Sequence, residues 1–248
     1  MKNTYIQEDL RCISAIEQVN RYRNSLIVSN GNGALTEKSQ INYSVLYSKF
    51  VKRLVDFILS AAAIFLLSPV LLYLTVHISL SGGSPIYGHL RIGKNGKPFK
   101  CYKFRTMRRD SDKVLKMILR VNSAAAHQWA SEFKLKNDPR ITRIGRLLRK
   151  TSLDELPQLF NVFMGNMSLI GPRPVTAVEI SVYGRSKRHY FKCKPGISGL
   201  WQVSGRNDVS YSRRIALDTA YAKRRTFFLD IIIMIKTIFV IFGRKGAY

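Results

Sequence analysis

Acidic side chains are what this chain has least of: 15 Asp and Glu stand against 41 Lys and Arg in 248 residues, a formal net charge of +26. That balance turns away cationic partners and selects anionic ones, namely nucleic acid, acidic lipid or phosphorylated small molecules. Cysteine is scarce too. Cys12, Cys101 and Cys193 are scattered and odd in number, which suggests neither a disulfide framework nor a Cys-based metal site and fits a reducing compartment. The four histidines, His77, His89, His127 and His189, fall at no metal-ligand spacing. No internal repeat is evident. With 46% hydrophobic residues the chain is no disordered basic tail, and it is long enough to bury a core as one large domain or one domain with appendages.

Charge is missing altogether from Phe57 to Val76, "FILSAAAIFLLSPVLLYLTV". At about 1.5 Å per residue a helix of this length matches the roughly 30 Å hydrocarbon layer. It begins too late for a cleavable signal peptide. Lys49, Lys52 and Arg53 precede it and Arg91, Lys94, Lys97 and Lys100 follow it, so the positive-inside bias wants both flanks on the cytoplasmic side. Ser68-Pro69 falls near its middle. Pro69 has no N–H to give Phe65 and its ring crowds that turn, so a kinked hairpin entering and leaving by one face reconciles length with charge. A straight or mildly kinked span is the competing reading.

Four parts follow from the pattern. Residues 1–45 form a polar leader containing "SNGNGALTEKSQ". Residues 46–80 carry the membrane segment, with Tyr47 to Asp56 extending its helix along the interface. Residues 81–225 read as a basic soluble domain, with a hairpin signal around "GKNGKP" and helical spacing from Asp112 to Val121. Residues 226–248 hold an apolar helix interrupted by Asp230 and Lys236. Each such charge costs about 2.5 to 3.5 kcal/mol at bilayer centre, which favours a helix in or near the membrane surface over a second span.

In "TSLDELPQLFNVFMGNMSLIGPRP" two adjacent carboxylates, Asp154 and Glu155, precede an apolar run at helical spacing. Ser152 with Glu155 fits a capping box. Asp154 as N-cap instead puts Pro157 inside the first turn, where its missing N–H costs little. Both carboxylates are ordinary residues for a helix start, and that bland role stands beside a chemical one. "KCYKFRTM" supplies Lys103 and Arg105, Arg149 precedes the acidic pair, and Pro172 and Pro174 stiffen the backbone around Arg173. Arginine on constrained backbone suits bidentate phosphate binding. A carboxylate can attack phosphorus where cations mask the like charge it approaches, and a divalent ion shared between a carboxylate and the phosphates supplies such masking.

Taken together, "KRLVDFILS", Ser68-Pro69, "RIGKNGKPFKCYKFRTM", "DPRITRIGRLLRKTSLDELPQLFNVFMGNMSLIGPRP" and "KPGISGLWQVSGRNDVSY" resemble the bacterial sugar transferases, monotopic polyprenyl-phosphate phosphoglycosyl transferases. The resemblance runs from about Tyr47 to Tyr248 and looks particularly close to the exopolysaccharide-initiating galactosyl-1-phosphate transferases of rhizobia. It implies an α/β or mainly α membrane-associated fold: a re-entrant helix-break-helix hairpin at Ser68 and Pro69, a cytosolic catalytic domain with a small β-hairpin, and interfacial amphipathic helices. Asp154 matches the nucleophile that attacks the phosphate of a UDP-sugar, expels UMP and carries the sugar phosphate to undecaprenyl phosphate. Glu155 matches the Mg2+-binding partner. Arg105 and Arg173 match basic positions near the phosphates, and Lys103, Arg149, Gln202 and Arg206 complete the candidate substrate-binding set. In "GLWQVSGR" a packing role for Trp201 stands beside contact with nucleotide or sugar.

The resemblance also implies the cytoplasmic face of the bacterial inner membrane, anionic lipid of the inner leaflet as a partner, and a homodimer as a candidate assembly. UDP-glucose is the runner-up donor to UDP-galactose. Longer relatives carry additional N-terminal membrane helices, so this chain resembles the catalytic unit alone. Where closer relatives have Asn-Trp-Ser near the C-terminal helix it reads Lys223 to Thr226, a departure that still suits an anionic surface. A membrane-tethered nucleic-acid binder accounts only for the charge, without a helix-turn-helix, zinc-finger or single-strand-binding signature, so no nucleic-acid partner is expected. A scaffold of a polysaccharide assembly needs no acidic pair among basic groups.

Overall fold

The computed structural model describes residues 43–80, 82–132, 135, 138–205 and 209–242. The expected leader over 1–45 lies almost entirely outside the described residues, and so does Arg206.

Helix α1 (Tyr43–Leu66) holds neither Gly nor Pro, and α2 (Ser68–Leu80) follows after Leu67 alone. From Phe50 onward the two are bent by 63°. Pro69 stands in the first turn of α2, where its missing N–H is tolerated, while its ring keeps α1 from running straight on. The expected break thus falls beside Ser68 and Pro69. Among the described residues no single helix is long and apolar enough to cross a membrane; the bent pair has the length and composition together.

Strands β1 (Ile86–Ile92) and β2 (Pro98–Phe104) form the expected hairpin. At its turn Asn95 and Gly96 take φ of 59° and 72°, the left-handed backbone that Asn and Gly adopt most cheaply. Helices α3 (Ser111–Val121), α4 (Ser123–Glu132), α5 (Arg143–Thr151) and α6 (Gln158–Phe163) come next, then β3 (Ser168–Ile170), α7 (Ala177–Val182), α8 (Lys187–Tyr190) and β4 (Gly196–Ser198). Helices α9 (Tyr211–Arg224) and α10 (Phe227–Phe242) complete the described chain. The architecture is mixed α/β, mostly helix, with two small two-stranded sheets among the described residues.

Two compact units share these elements. Within the described residues, unit one holds 43–66, 88–102 and 158–205 with 209–242; unit two holds 67–80, 82–87, 103–132, 135 and 138–157. In unit one β3 pairs with β4 in parallel, Ser168 opposite Gly196 and Ile170 opposite Ser198. A Cβ on Gly196 would stand 2.1 Å from the backbone nitrogen of Gly171, so only glycine permits that approach. Helix α1 is fastened by its charges as well as by the stacking of Phe57 on Phe163 at 4.8 Å. Arg53 donates to the carbonyls of Val162 and Phe163 at 2.7 and 2.8 Å, closing the C-terminal end of α6, and Asp56 accepts from the Leu169 N–H at 3.0 Å. Lys52 bonds the Ile170 carbonyl and pairs with Asp230 of α10, which also accepts from the Tyr221 hydroxyl at 2.7 Å. Apolar cores lie around Ile92, Val175, Ile180 and Tyr190 and around Ile170, Cys193, Tyr221 and Ile233.

Unit two packs α2 through Leu71, Leu74 and Ile78 against Phe104 of β2 and Leu148 of α5. In unit one, Asn161 ties α6 to the hairpin. Fully buried, it accepts from the Tyr102 N–H at 2.9 Å and donates to the Lys100 carbonyl at 2.8 Å. Asn161→Ala strands both strand groups without partners, so it is expected to lower stability by about 2–4 kcal/mol, read as a lower midpoint in denaturant unfolding of the detergent-solubilised chain.

Candidate active site

The acidic pair does not open a helix. Ser152 takes φ of 59° and ends α5, Leu153–Glu155 form a single 3-10 turn, and α6 starts only at Gln158. Neither capping register is realised. The left-handed residue turns the chain away from α5, and Pro157 lacks the N–H needed to merge the turn with α6. Asp154 and Glu155 are therefore presented side by side on a tight turn, with no side chain of the turn spent on its cap.

Lys103, near the end of β2, meets both. Its Nζ donates to Glu155 Oε1 at 2.6 Å and stands 4.0 Å from Asp154 Oδ2. Burial works to lower the Lys103 pKa, but Glu155 first and Asp154 second outweigh it and hold the ammonium above its ordinary value. Asp154 shows the opposite balance. Its side chain is only 15% exposed, and burial, opposed by Lys103 and Arg149 but aided by the like charge of Glu155, pushes its carboxyl up to about 6.

Arg149 is braced from behind. Its Nε donates to Thr106 Oγ1 at 2.9 Å, while the Thr106 carbonyl accepts from the Thr142 N–H at 3.0 Å. Helix α5 lies so close that a Cβ on Gly145 would stand 2.1 Å from that carbonyl. Thr142 caps α5, its Oγ1 accepting from Gly145 N at 2.9 Å. Asp138 and Arg140 form a buried pair, Nη2 to Oδ2 at 2.6 Å, beneath the ring of Trp129. Burial acts to raise the Asp138 carboxyl, and the bonds from Arg140 overcome it and hold the group below its ordinary value. Neither Thr106 nor the Asp138–Arg140 pair was singled out from the sequence; the i,i+2 spacing in "DPR" was the one signal for the pair.

Of the expected residues, unit two thus brings together Lys103, Arg149, Asp154 and Glu155. Arg105 is also in unit two, with its Nη2 donating to the Ile78 carbonyl at 3.2 Å. Arg173 and Gln202 belong to unit one. There the guanidinium of Arg173 lies 5.6 Å from the ring centre of Trp201, and Arg214, which no spacing pointed to, lies at 4.9 Å. Trp201 is 5% exposed, so it is packed; its indole N–H and the Gln202 amide oxygen are buried with no hydrogen-bond partner among the described residues. Asp218 accepts from the Tyr183 hydroxyl at 2.9 Å, and burial pushes its carboxyl up to about 7. Among the described residues no group of three or more His, Cys, Asp or Glu side chains is placed to hold a metal ion.

A largely buried carboxylate beside a second carboxylate, a lysine and a braced arginine is equipped to meet a phosphate. Residues 47–244 match the family model described as bacterial sugar transferase, and the chain belongs to that family. It is 53% identical over 201 residues to the UDP-galactose-lipid carrier transferase of Erwinia amylovora, covering 81% of this chain and 42% of that protein. It is 49% identical over 209 residues to the undecaprenyl-phosphate galactose phosphotransferase of Salmonella typhimurium, covering 84% and 44%. It is 47% identical over 198 residues to the exopolysaccharide production protein ExoY of Rhizobium meliloti, covering 79% and 88%. The chain therefore spans less than half the length of the first two.

The raised Asp154 carboxyl has a consequence for stability. In the unfolded chain it ionises near 3.8 and in the folded chain near 6, so folding is weakened as pH rises through that window and stays weakened above it. Asp154→Asn removes the cost. In EDTA at pH 8 this variant is expected to be more stable than wild type by up to about 3 kcal/mol, read as a higher unfolding temperature, and the gap should close as pH falls from 6 to 4.

Proposed function

We propose that this chain transfers a hexose 1-phosphate, preferably galactose 1-phosphate, from a UDP-sugar to undecaprenyl phosphate, releasing UMP and starting an exopolysaccharide repeat unit. The observation that carries this reading is the largely buried Asp154 carboxyl set against Lys103, Glu155 and Arg149. Two of the relatives named above carry galactose in their names, and the third is named for exopolysaccharide production.

The chemistry proceeds in two displacements. An Asp154 oxygen attacks the phosphorus that bears the sugar, and the P–O bond to UMP breaks with its electron pair on the departing phosphate. An acyl phosphate now joins sugar and enzyme. An oxygen of undecaprenyl phosphate then attacks the same phosphorus, and Asp154 leaves as a carboxylate, its starting form. Above pH 6 Asp154 is anionic and ready to attack, while Lys103 and Arg149 mask the repulsion between that charge and the incoming phosphate. Two adjacent carboxylates, with no third His, Cys, Asp or Glu grouped with them among the described residues, suit Mg2+, which takes one or two carboxylates and completes its shell from substrate phosphates and water. Glu155, the more exposed of the pair, would hold it, and the ion would supply positive charge beside the diphosphate.

Membrane embedding belongs to the same reading. The bent pair α1–α2 enters and leaves the inner leaflet by its cytoplasmic face, and α10 lies at the surface. A charged donor and a headgroup-level acceptor phosphate then meet without either charge crossing hydrocarbon. Single cysteines at Lys49 and Lys94, in a background lacking Cys12, Cys101 and Cys193, should both resist an impermeant thiol reagent in intact cells; opposite accessibility would establish a crossing.

Activity is tested by UMP release from membranes supplied with Mg2+, undecaprenyl phosphate and a panel of UDP-sugars. Asp154→Asn should lose activity by on the order of 10³-fold or more and trap no sugar-phosphate adduct. Glu155→Gln should need more Mg2+ for half-maximal rate. Wild-type release by Asp154→Asn would overturn the nucleophile, and faster turnover of UDP-glucose than of UDP-galactose would change the donor.

A further inference from the structure

Unit two carries a second cationic feature whose lining shares no residue with the Lys103–Asp154–Glu155 cluster. An open concavity of about 430 Å³ is lined by Arg105, Met107, Arg108, Arg109, Asp110 and Thr142. Three guanidiniums face one carboxylate. Asp110 is taken up by Arg108, whose Nε and Nη2 reach its two oxygens at 3.0 and 3.2 Å, so the cavity keeps a surplus of two positive charges.

Its place in the fold says which anion it meets. The bond from Arg105 to the Ile78 carbonyl places the wall of the cavity at the last turn of α2. Beyond that turn Gly82 and Gly83 adopt φ of 81° and 85°. A Cβ on Gly83 would stand 2.4 Å from Arg105 Nη1 and 3.1 Å from Arg109 Nε, so the backbone leaving α2 is folded directly onto the guanidiniums. The same helix exposes Leu72, Tyr73, Val76 and Leu80, the last at 81%. An apolar helix that lies in hydrocarbon ends where the lipid phosphates begin. Helix α3, which starts at the cavity, continues the pattern: none of its residues is buried, Met117 and Val121 are exposed one turn apart, and Lys113, Lys116 and Arg120 are interleaved with them. Basic residues around an exposed apolar pair suit a lipid surface.

We propose that this cavity binds the phosphate of an anionic phospholipid headgroup, gripping it with Arg109 while Arg108 neutralises Asp110, and so setting the depth at which unit two rides on the bilayer. Planar guanidiniums pair bidentately with phosphate oxygens, which a scatter of lysines cannot do. The proposal rests on the membrane-embedded reading above. Arg105 is also a candidate for the donor's phosphates, so the variants are confined to Arg108 and Arg109.

The test is native mass spectrometry of the full chain in detergent, titrated with phosphatidylglycerol, phosphatidylcholine or inorganic phosphate, alongside flotation of the chain reconstituted with phosphatidylcholine vesicles. Arg108→Gln/Arg109→Gln should bind phosphatidylglycerol about 10-fold or more weakly than wild type. Lys113→Gln/Lys116→Gln, which loses the same charge outside the cavity, should bind as wild type does. Equal losses in both double variants would reduce the effect to diffuse charge and overturn the site. Displacement of phosphatidylglycerol by equimolar inorganic phosphate would overturn the lipid as occupant. Wild-type chain that floats with phosphatidylcholine yet shows no preference for phosphatidylglycerol removes this proposal and leaves the membrane reading standing; failure to float removes both.

Discussion

In the reaction proposed above a carboxylate sheds water before it attacks phosphorus, and that loss must not leave it neutral. Burial is the largest influence raising the Asp154 carboxyl. Lys103 opposes that, and it reaches Asp154 only at 4.0 Å while bonding Glu155 at 2.6 Å. The closer partner absorbs most of the lysine's attention, so Asp154 is stabilised enough to ionise above about 6 without being locked into a tight ion pair that would blunt it. Everything else in unit two keeps that spacing. The 3-10 turn sets the carboxylates side by side, Gly145 lets α5 approach Thr106, and Thr106 steadies Arg149.

Unit one solves a different problem with the same few acids. Two of its buried carboxylates accept from phenols, Asp218 from Tyr183 and Asp230 from Tyr221, while Asp230 also pairs with Lys52 and Asp56 accepts from a backbone N–H. Other cations serve backbone carbonyls, as Arg53 shows at the end of α6. The basic residues ahead of the apolar segment therefore have a packing role beside the topological one that their charge suggests.

The hairpin, the break at Ser68-Pro69, the helix over Asp112–Val121 and the C-terminal helix were legible because each rests on a local signal: an Asn-Gly turn, a proline, a 3.6-residue period. The proximity of Lys103 to the acidic pair was not local; it depends on β2 and the 3-10 turn being brought together by Phe104, Leu148 and Leu153. The start of the acidic helix was misjudged in both registers because a left-handed non-glycine residue, Ser152, leaves no mark in the sequence. Trp201 was noticed, but its second arginine, Arg214, lies 13 residues on in α9. Thr106 and Gly145 escaped because nothing about a threonine or a glycine announces a backbone contact across 39 residues.

Asn161 holds the backbone of β2 at Lys100 and Tyr102, one residue short of Lys103. A strand alternates its side chains with a period of two. A residue inserted between that anchor and Lys103 would send the lysine to the opposite face, however conservative its chemistry. The turn at Lys94–Gly96 is on the far side of the anchor, and length changes there would leave the lysine where it is. Lineages descended from this sequence are thus free to vary the tip of the hairpin and are bound to an invariant count of residues at its base.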